Sequence, residues 1–219
     1  MSIIQDISSL NLDELTKILE ASEGLFRKYG VRSVTMADIA RDLGMSKKTL
    51  YVHVENKRDL VQQIVQRHVQ EDKKECLAIV NDAKNALEAL LKMSVYAQKH
   101  MNDMNPSLLF DLKKYHRPVW ELLDNFHKKE MLEMVAKNLQ EGVDEGLYRA
   151  DLNVELVARI HISLMLIMTD MDFFPAAQFS PSMLHSELAK YHINAIVSDK
   201  GRALLQELGN DIDPTNDIH

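Results

Sequence analysis

One cysteine, Cys76, excludes an intrachain disulfide, and with no cationic or histidine-rich setting to activate it the thiol reads as packed helical filler. Seven glycines and five prolines leave few chain breaks in 219 residues, and no alternating β-branched run competes with the abundant Leu, Met, Ala, Glu and Lys, so helix is expected throughout. Long hydrophobic runs are also missing. The longest apolar region, 160–168, is interrupted by His161 and Ser163 and falls far short of the ~20 residues that span a bilayer. The N-terminus lacks the basic, apolar and small-residue pattern of a signal peptide, so a soluble cytoplasmic protein with no membrane partner is expected. Catalytic and metal-binding punctuation is equally scarce: there is no HExxH, no CxxC, no glycine-rich phosphate loop and no G-x-S-x-G turn. His100, His116, His127, His161, His185 and His192 are scattered rather than clustered at zinc-ligand spacing. The expectation is therefore no enzyme, no cofactor and no metal.

The formal net charge of −7 disfavours a nucleic-acid partner at first sight, but it is unevenly spread. Between residues 24 and 60, eight basic residues (Arg27, Lys28, Arg32, Arg41, Lys47, Lys48, Lys57, Arg58) face four acidic ones (Asp38, Asp42, Glu55, Asp59). The remainder is correspondingly acidic, an asymmetry that lets one end approach phosphate while the other is repelled.

What is present gathers in residues 35–57, TMADIARDLGMSKKTLYVHVENK. Thr35 and Asp38 have the spacing at which a cap hydroxyl and a returning carboxylate satisfy backbone N–H groups. Ile39, Ala40 and Leu43 form an inward stripe, and Gly44 follows where the chain must reverse. Ser46 caps a second helix whose Leu50 and Val54 share an i, i+4 face able to pack on the first. The opposite face carries Lys47, Lys48, Thr49, Tyr51 and His53, with no acid before Glu55. Two short helices joined by a turn of about 3–4 residues, the second basic and hydroxylic near its start, match the helix-turn-helix; spacing alone would equally allow a solvated hairpin with a lysine pair.

The residues themselves go further. Ile39-Ala40, Leu43-Gly44-Met45-Ser46, the run Thr49-Leu50-Tyr51-Val52-His53-Val54, and Asn56-Lys57-Arg58 with Leu60 resemble the DNA-binding domain of the TetR family of bacterial transcriptional repressors. Ala21, Leu25, Phe26 and Gly30 sit where that family's first helix carries similar residues, and the resemblance covers about 15–60. It implies phosphate contacts for Thr35, Tyr51, His53 and Lys57, and for Ala37 a position that contacts bases in some relatives. By position on the recognition helix behind its Ser46 cap, Lys47, Lys48 and Thr49 are the candidates for base edges, since Lys donates to guanine O6/N7 and Thr offers a hydroxyl and a methyl. Lys48 stands where relatives often have Gly or Pro, and Val54 replaces a common Phe, so the base read by Lys48 does not carry over.

Along the rest of the chain, residues 1–10 show no periodic pattern and are expected to be a mobile lead-in, with a helix from Asn11 to Gly30. Asn56 caps a linking helix, 57–81, which the resemblance implies transmits ligand-dependent movement. Helices are then expected at about 85–101, from Pro106, from Val119 to Gly142 or Gly146, at 154–171 and at 182–198. The helix at 154–171 is apolar on nearly every side and must be buried all round. The predicted fold is all-α: an N-terminal three-helix helix-turn-helix DNA-binding domain at 11–56, a larger C-terminal effector-binding and dimerisation domain at 57–200, and a flexible tail at 201–219.

Together these readings predict a TetR-like regulator, a repressor that binds a near-palindromic double-stranded operator as a homodimer and leaves it when a small-molecule effector binds. The helices near 154–171 and 182–198 are the expected dimer interface, the alternative being that both simply close the core of a single chain. Met93, Tyr96, His100, Met101, Met104, Phe110, Trp120, Phe126, His161, Met165 and Met168 are the candidate pocket walls, although a Met or aromatic at helical spacing serves equally well as core. The alternative is a DNA-binding dimer without an effector, its C-terminal domain serving as a dimerisation or protein-docking module.

Overall fold

The computed structural model describes residues 2–102, 106–170, 172–175 and 177–208, with side chains described for these except 2–12, 101–102, 106–110 and 127. Polar caps set where several helices begin. Thr35 starts α2 (Met36–Asp42) with a complete capping box: its Oγ1 accepts from the Asp38 N–H, and the Asp38 carboxylate accepts from the Thr35 N–H at 3.0 Å. Ser46 starts α3 (Lys47–His53) by accepting the Thr49 N–H at 3.1 Å. Asn153 and Ser180 do the same for α9 (Val154–Ile167) and α10 (Pro181–Ile196), the latter with Pro at its first position. The remaining helices are α1 (Ser2–Tyr29), α4 (Lys57–Asp82), α5 (Ala86–Asn102), α6 (Pro106–Tyr115), α7 (Arg117–Asn125), α8 (Leu132–Asp144) and α11 (Asp199–Leu208). Among the described residues no β-strand forms, only an isolated antiparallel bridge between Tyr148 and Val197.

The chain divides into two compact units, Met1–Glu71 with Ser107–Leu123, and Asp72–Pro106 with Asp124–His219. The division falls inside α4. In the first unit, Ile18, Val31, Ile39, Leu50, Val54, Leu60 and Val119 are almost wholly removed from solvent and form one core. Between α2 and α3 the chain reverses at Gly44, whose φ of 64° places it in the left-handed region. The Met45 N–H donates to the Ala40 carbonyl and the Gly44 N–H to the Arg41 carbonyl, the two bonds of a Schellman motif. Arg67 on α4 reaches Glu20 and Glu23 of α1, the second at 3.2 Å.

The second unit packs α5, α8, α9, α10 and α11 around Leu87, Leu139, Tyr148 and Ile196. Tyr148 is fully buried, its hydroxyl 3.1 Å from the Ala86 carbonyl and 3.0 Å from Asn138 Oδ1.

Three elements differ from the sequence expectation. Helix α1 begins at Ser2 rather than near Asn11; no proline, and no glycine before Gly24, interrupts residues 2–29. Residues 199–208, placed partly in a flexible tail, form α11, because the Ser198 Oγ accepts the Gly201 N–H at 3.0 Å and Leu204, Leu205 and Leu208 pack onto the second core. The rest of the expected tail, 209–219, lies outside the described residues. Finally, the long helix expected from Val119 is interrupted by a wide π-helical turn, Phe126–Met131, between α7 and α8.

Candidate nucleic-acid interface and internal chamber

Helix α3 buries Leu50 against the first core and turns its other side outward. Lys47, Lys48 and Tyr51 are exposed, and Val52 is the most open large apolar side chain among the described residues, at 74%. The spacing explains the grouping, since Lys47 with Tyr51 and Lys48 with Val52 are i, i+4 pairs. The face therefore offers two ammonium groups, a phenol and a branched methyl surface. Thr49 is half-buried, with its Oγ1 2.9 Å from Ser46 Oγ.

The second unit encloses a chamber of about 100 Å³. Its walls come from α4 (Val80), α5 (Leu90, Met93, Ser94, Ala97), the π turn (Met131), α8 (Met134, Val135, Asn138), α9 (His161, Met165) and α10 (His185, Leu188, Ala189, His192). The His161 and His192 ring centroids are 3.9 Å apart. Burial holds all three imidazoles below the usual histidine pKa: His192 at about 4, His161 at about 3, where His192 and His185 add to the effect, and His185 in the same direction.

A family model described as "Bacterial regulatory proteins, tetR family" matches residues 18–64. The HTH-type transcriptional regulator YvaF of Bacillus subtilis (strain 168) is 30% identical over 185 residues, 84% of this chain and 96% of YvaF. The chain belongs to the TetR family. It is also similar to the HTH-type transcriptional repressor KstR2 of Mycobacterium tuberculosis (strain ATCC 25618 / H37Rv), 24% identical over 65% of this chain and 73% of KstR2. The solved structure of a transcriptional regulator from Cytophaga hutchinsonii shares the fold, with a TM-score of 0.70, 22% identity, and coverage of 84% of this chain and 99% of that one. As a TetR-family member the chain is a helix-turn-helix, DNA-binding transcriptional regulator.

Within that TetR frame, the expected phosphate contacts do not all stand on one surface. The His53 side chain is only 7% exposed and points at Glu14, its Nε2 3.4 Å from Glu14 Oε2, which ties α3 to α1 instead of presenting the ring outward. Lys57 is half-buried and donates to the Arg32 carbonyl at 3.3 Å; desolvation lowers its pKa, with Asp111 and Asp38 opposing. Asp59 accepts the Glu55 N–H at 2.8 Å, so a carboxylate already lies at the start of α4. The Thr35 hydroxyl is exposed but donates to Asp38 Oδ2 at 2.6 Å, and Ala37 is half-buried beside it. Val52 was absent from the sequence expectation; its i+4 relation to Lys48 was the available signal.

Of the expected chamber walls, Met93, His161 and Met165 line it. Trp120 instead joins the first core, with the Lys113 ammonium 5.8 Å from its ring. Tyr96 and His100 occupy a different ridge of α5: the Tyr96 hydroxyl donates to Asp72 at 2.8 Å, and the two rings lie 4.2 Å apart. Phe126 is buried away from the lining, and Met168 follows the last residue of α9. Met104 and the side chains of Met101 and Phe110 lie outside the described residues. Ser94, Asn138, His185 and His192 line the chamber and were not among the expected walls.

Proposed function

We propose that the protein is a homodimeric repressor that leaves a near-palindromic double-stranded operator when a small molecule occupies the chamber of its second unit. The observation that carries this reading is the chamber itself, apolar on most sides with a few convergent polar groups, the usual make-up of a small-molecule site. The naming of KstR2 as a repressor supports the direction of regulation.

In this reading Lys47, Lys48, Thr49 and Val52 meet base edges, Val52 and the Thr49 methyl suiting a thymine methyl. Tyr51, Thr35 and Lys57 position the duplex through phosphates, Lys57 after exchanging the Arg32 carbonyl for a phosphate oxygen, while Ser46 and Ala37 shape the approach. One recognition helix reads few base pairs, so two copies must meet successive major grooves ~34–36 Å apart. Leu156, Ile160 and Ile167 on α9 and Met183 and Tyr191 on α10 are exposed apolar side chains, and this supports pairing of copies through these helices. The effector shifts the population toward dimers whose reading heads no longer fit both grooves. Salt titration of operator binding tests the electrostatic part. The logarithm of affinity should fall linearly with the logarithm of salt, and Lys57→Ala should lower the slope by about 1. A salt-independent association would count against the proposal, and a chamber that shows no thermal shift with any member of a broad metabolite panel would favour a dimer without an effector.

A further inference from the structure

The polar end of the chamber is more particular than its walls. Among the described residues that line it there is no Asp, Glu, Lys or Arg. Helix α4 and the π turn contribute only Val80 and Met131, α5 contributes Ser94 as its polar group, and α8 contributes Asn138. The titratable groups facing the space are therefore His161 from α9 and His185 and His192 from α10. Asn138 is committed, its Nδ2 donating to the Ala86 carbonyl at 2.8 Å and its Oδ1 facing the Tyr148 hydroxyl. The histidines are not. Nδ1 of His161 and Nδ1 of His185 are buried and meet no hydrogen-bond partner in the protein. Buried polar atoms are nearly always satisfied, so two orphaned ring nitrogens in one chamber call for an explanation.

Three imidazoles lining one chamber, two of them with ring centroids 3.9 Å apart, narrow what can supply the missing partner. A cation would find no counter-charge here, and no group of three metal-ligating side chains occurs among the described residues. A hydrocarbon would leave both nitrogens unmade. An alcohol can accept from one ring N–H and donate to one ring nitrogen, but it brings no charge to hold a proton on an imidazole. A carboxylate accepts from two or three ring N–H groups at once, and its charge favours the protonated imidazole that burial otherwise disfavours. We infer that the chamber selects an apolar monocarboxylic acid of about benzoate size, its carboxylate held by His161, His185 and His192 and its body lying among Met93, Met131, Met134 and Met165. The inference rests on reading the chamber as the effector site. The space sets the upper bound on size: about 100 Å³ is smaller than the ~150 Å³ cavity known to hold benzene, so a benzoate-sized body enters as the unbranched methionine side chains give way.

The chamber holds its imidazoles neutral at pH 7, so a carboxylate that binds by charging one of them draws a proton from solution. Proton uptake on binding means that affinity falls as pH rises, by about tenfold per unit for one proton. Calorimetric titration of the full-length chain with benzoate and hexanoate, and with benzyl alcohol and hexanol, at pH 6, 7 and 8 in two buffers of different ionisation enthalpy, counts those protons. The acids should bind with about one proton taken up and lose about tenfold in affinity per pH unit. The alcohols should take up none and bind at least about tenfold more weakly at pH 6. His161→Gln combined with His192→Gln keeps hydrogen-bonding groups at both positions but removes two of the three ionisable rings, and should reduce the uptake; should the variant fail to fold, the wild-type proton count still decides. Acids that bind no better than the alcohols, that bind without proton uptake, or that do not bind at all overturn the inference. Operator affinity measured with each probe separates it from the reading beneath it. Acids that bind with uptake but leave the operator complex intact would sink the effector role and keep the acid site, whereas alcohols that release the operator when the acids do not would sink the acid site and keep the effector role.

Discussion

Thr35 shows how much one side chain does in this protein. Its hydroxyl accepts the Asp38 N–H, donates to the Asp38 carboxylate, and stands exposed at the start of α2. Loss of such a cap costs about 1 kcal/mol, so Thr35→Ala should lower the unfolding free energy by that amount, read as a lower urea midpoint with the slope of the transition unchanged. Asp38 shares the load. Its pKa lies below the ordinary carboxylate value, chiefly through the Thr35 hydrogen bonds and then Arg41, so this local anchor weakens as acid protonates the carboxylate. His53 belongs to the same scale. Its contact with Glu14 predicts that His53→Ala loosens α3 on α1, detectable as faster amide exchange in α3.

Two glycines set limits on the elements. Gly44 lies at φ 64°, where an L side chain costs roughly 1–2 kcal/mol, so Gly44→Ala should destabilise the first unit by that order and weaken operator binding through a misset α3. Gly142 on α8 lies beneath the buried Tyr148 ring, and an added Cβ would come within 2.0 Å of it. Because the ring is fixed on all sides, Gly142→Ala should cost about 1–3 kcal/mol by overpacking, measured by chemical denaturation. At this scale much of the architecture was legible. Caps at Thr35, Ser46 and Asn56 and the reversal at Gly44 are local signals, and they located α2, α3 and the start of α4 to within a residue. Helix α11 escaped because its cap, Ser198, also carries the tertiary bonds to the Gly146 and Leu147 carbonyls, and that packing is invisible along the chain. The α10 wall of the chamber escaped for another reason. On α10 the inward stripe is His185, Leu188, Ala189, His192 and Ile193, while Tyr191 on the same helix is open to solvent; periodicity along the chain does not say which members of such a stripe turn inward. Trp120 was misplaced because a helical pattern identifies an apolar face but not which of two cores receives it.

For the molecule as a whole, acid is the informative variable. His161, His185 and His192 are held neutral when folded and take up protons near pH 6.5 when unfolded, so the unfolded state binds more protons below that value. Their contribution is unpenalised above about pH 6.5 and stability should fall as pH drops toward 4; the melting temperature should decline over that window, and His192→Gln should flatten the decline. Pairing of copies is tested at the same scale. If the proposed pairing holds, Ile160→Glu with Tyr191→Glu should shift sedimentation toward the single chain and abolish tight operator binding, while leaving the thermal shift expected with benzoate in place. A last consequence follows from the packing of Cys76, which is 3% exposed with its thiol pushed up to about 11 by burial and then by Asp72 and Glu75. Since it is the sole sulfhydryl in the sequence, alkylation of the intact protein by iodoacetamide should be slow and governed by local opening of the second half of α4. That makes Cys76 a built-in clock for the linking helix, one whose ticking rate, read by mass spectrometry with and without a chamber occupant, reports directly whether occupancy stiffens or loosens the segment that bridges the two units.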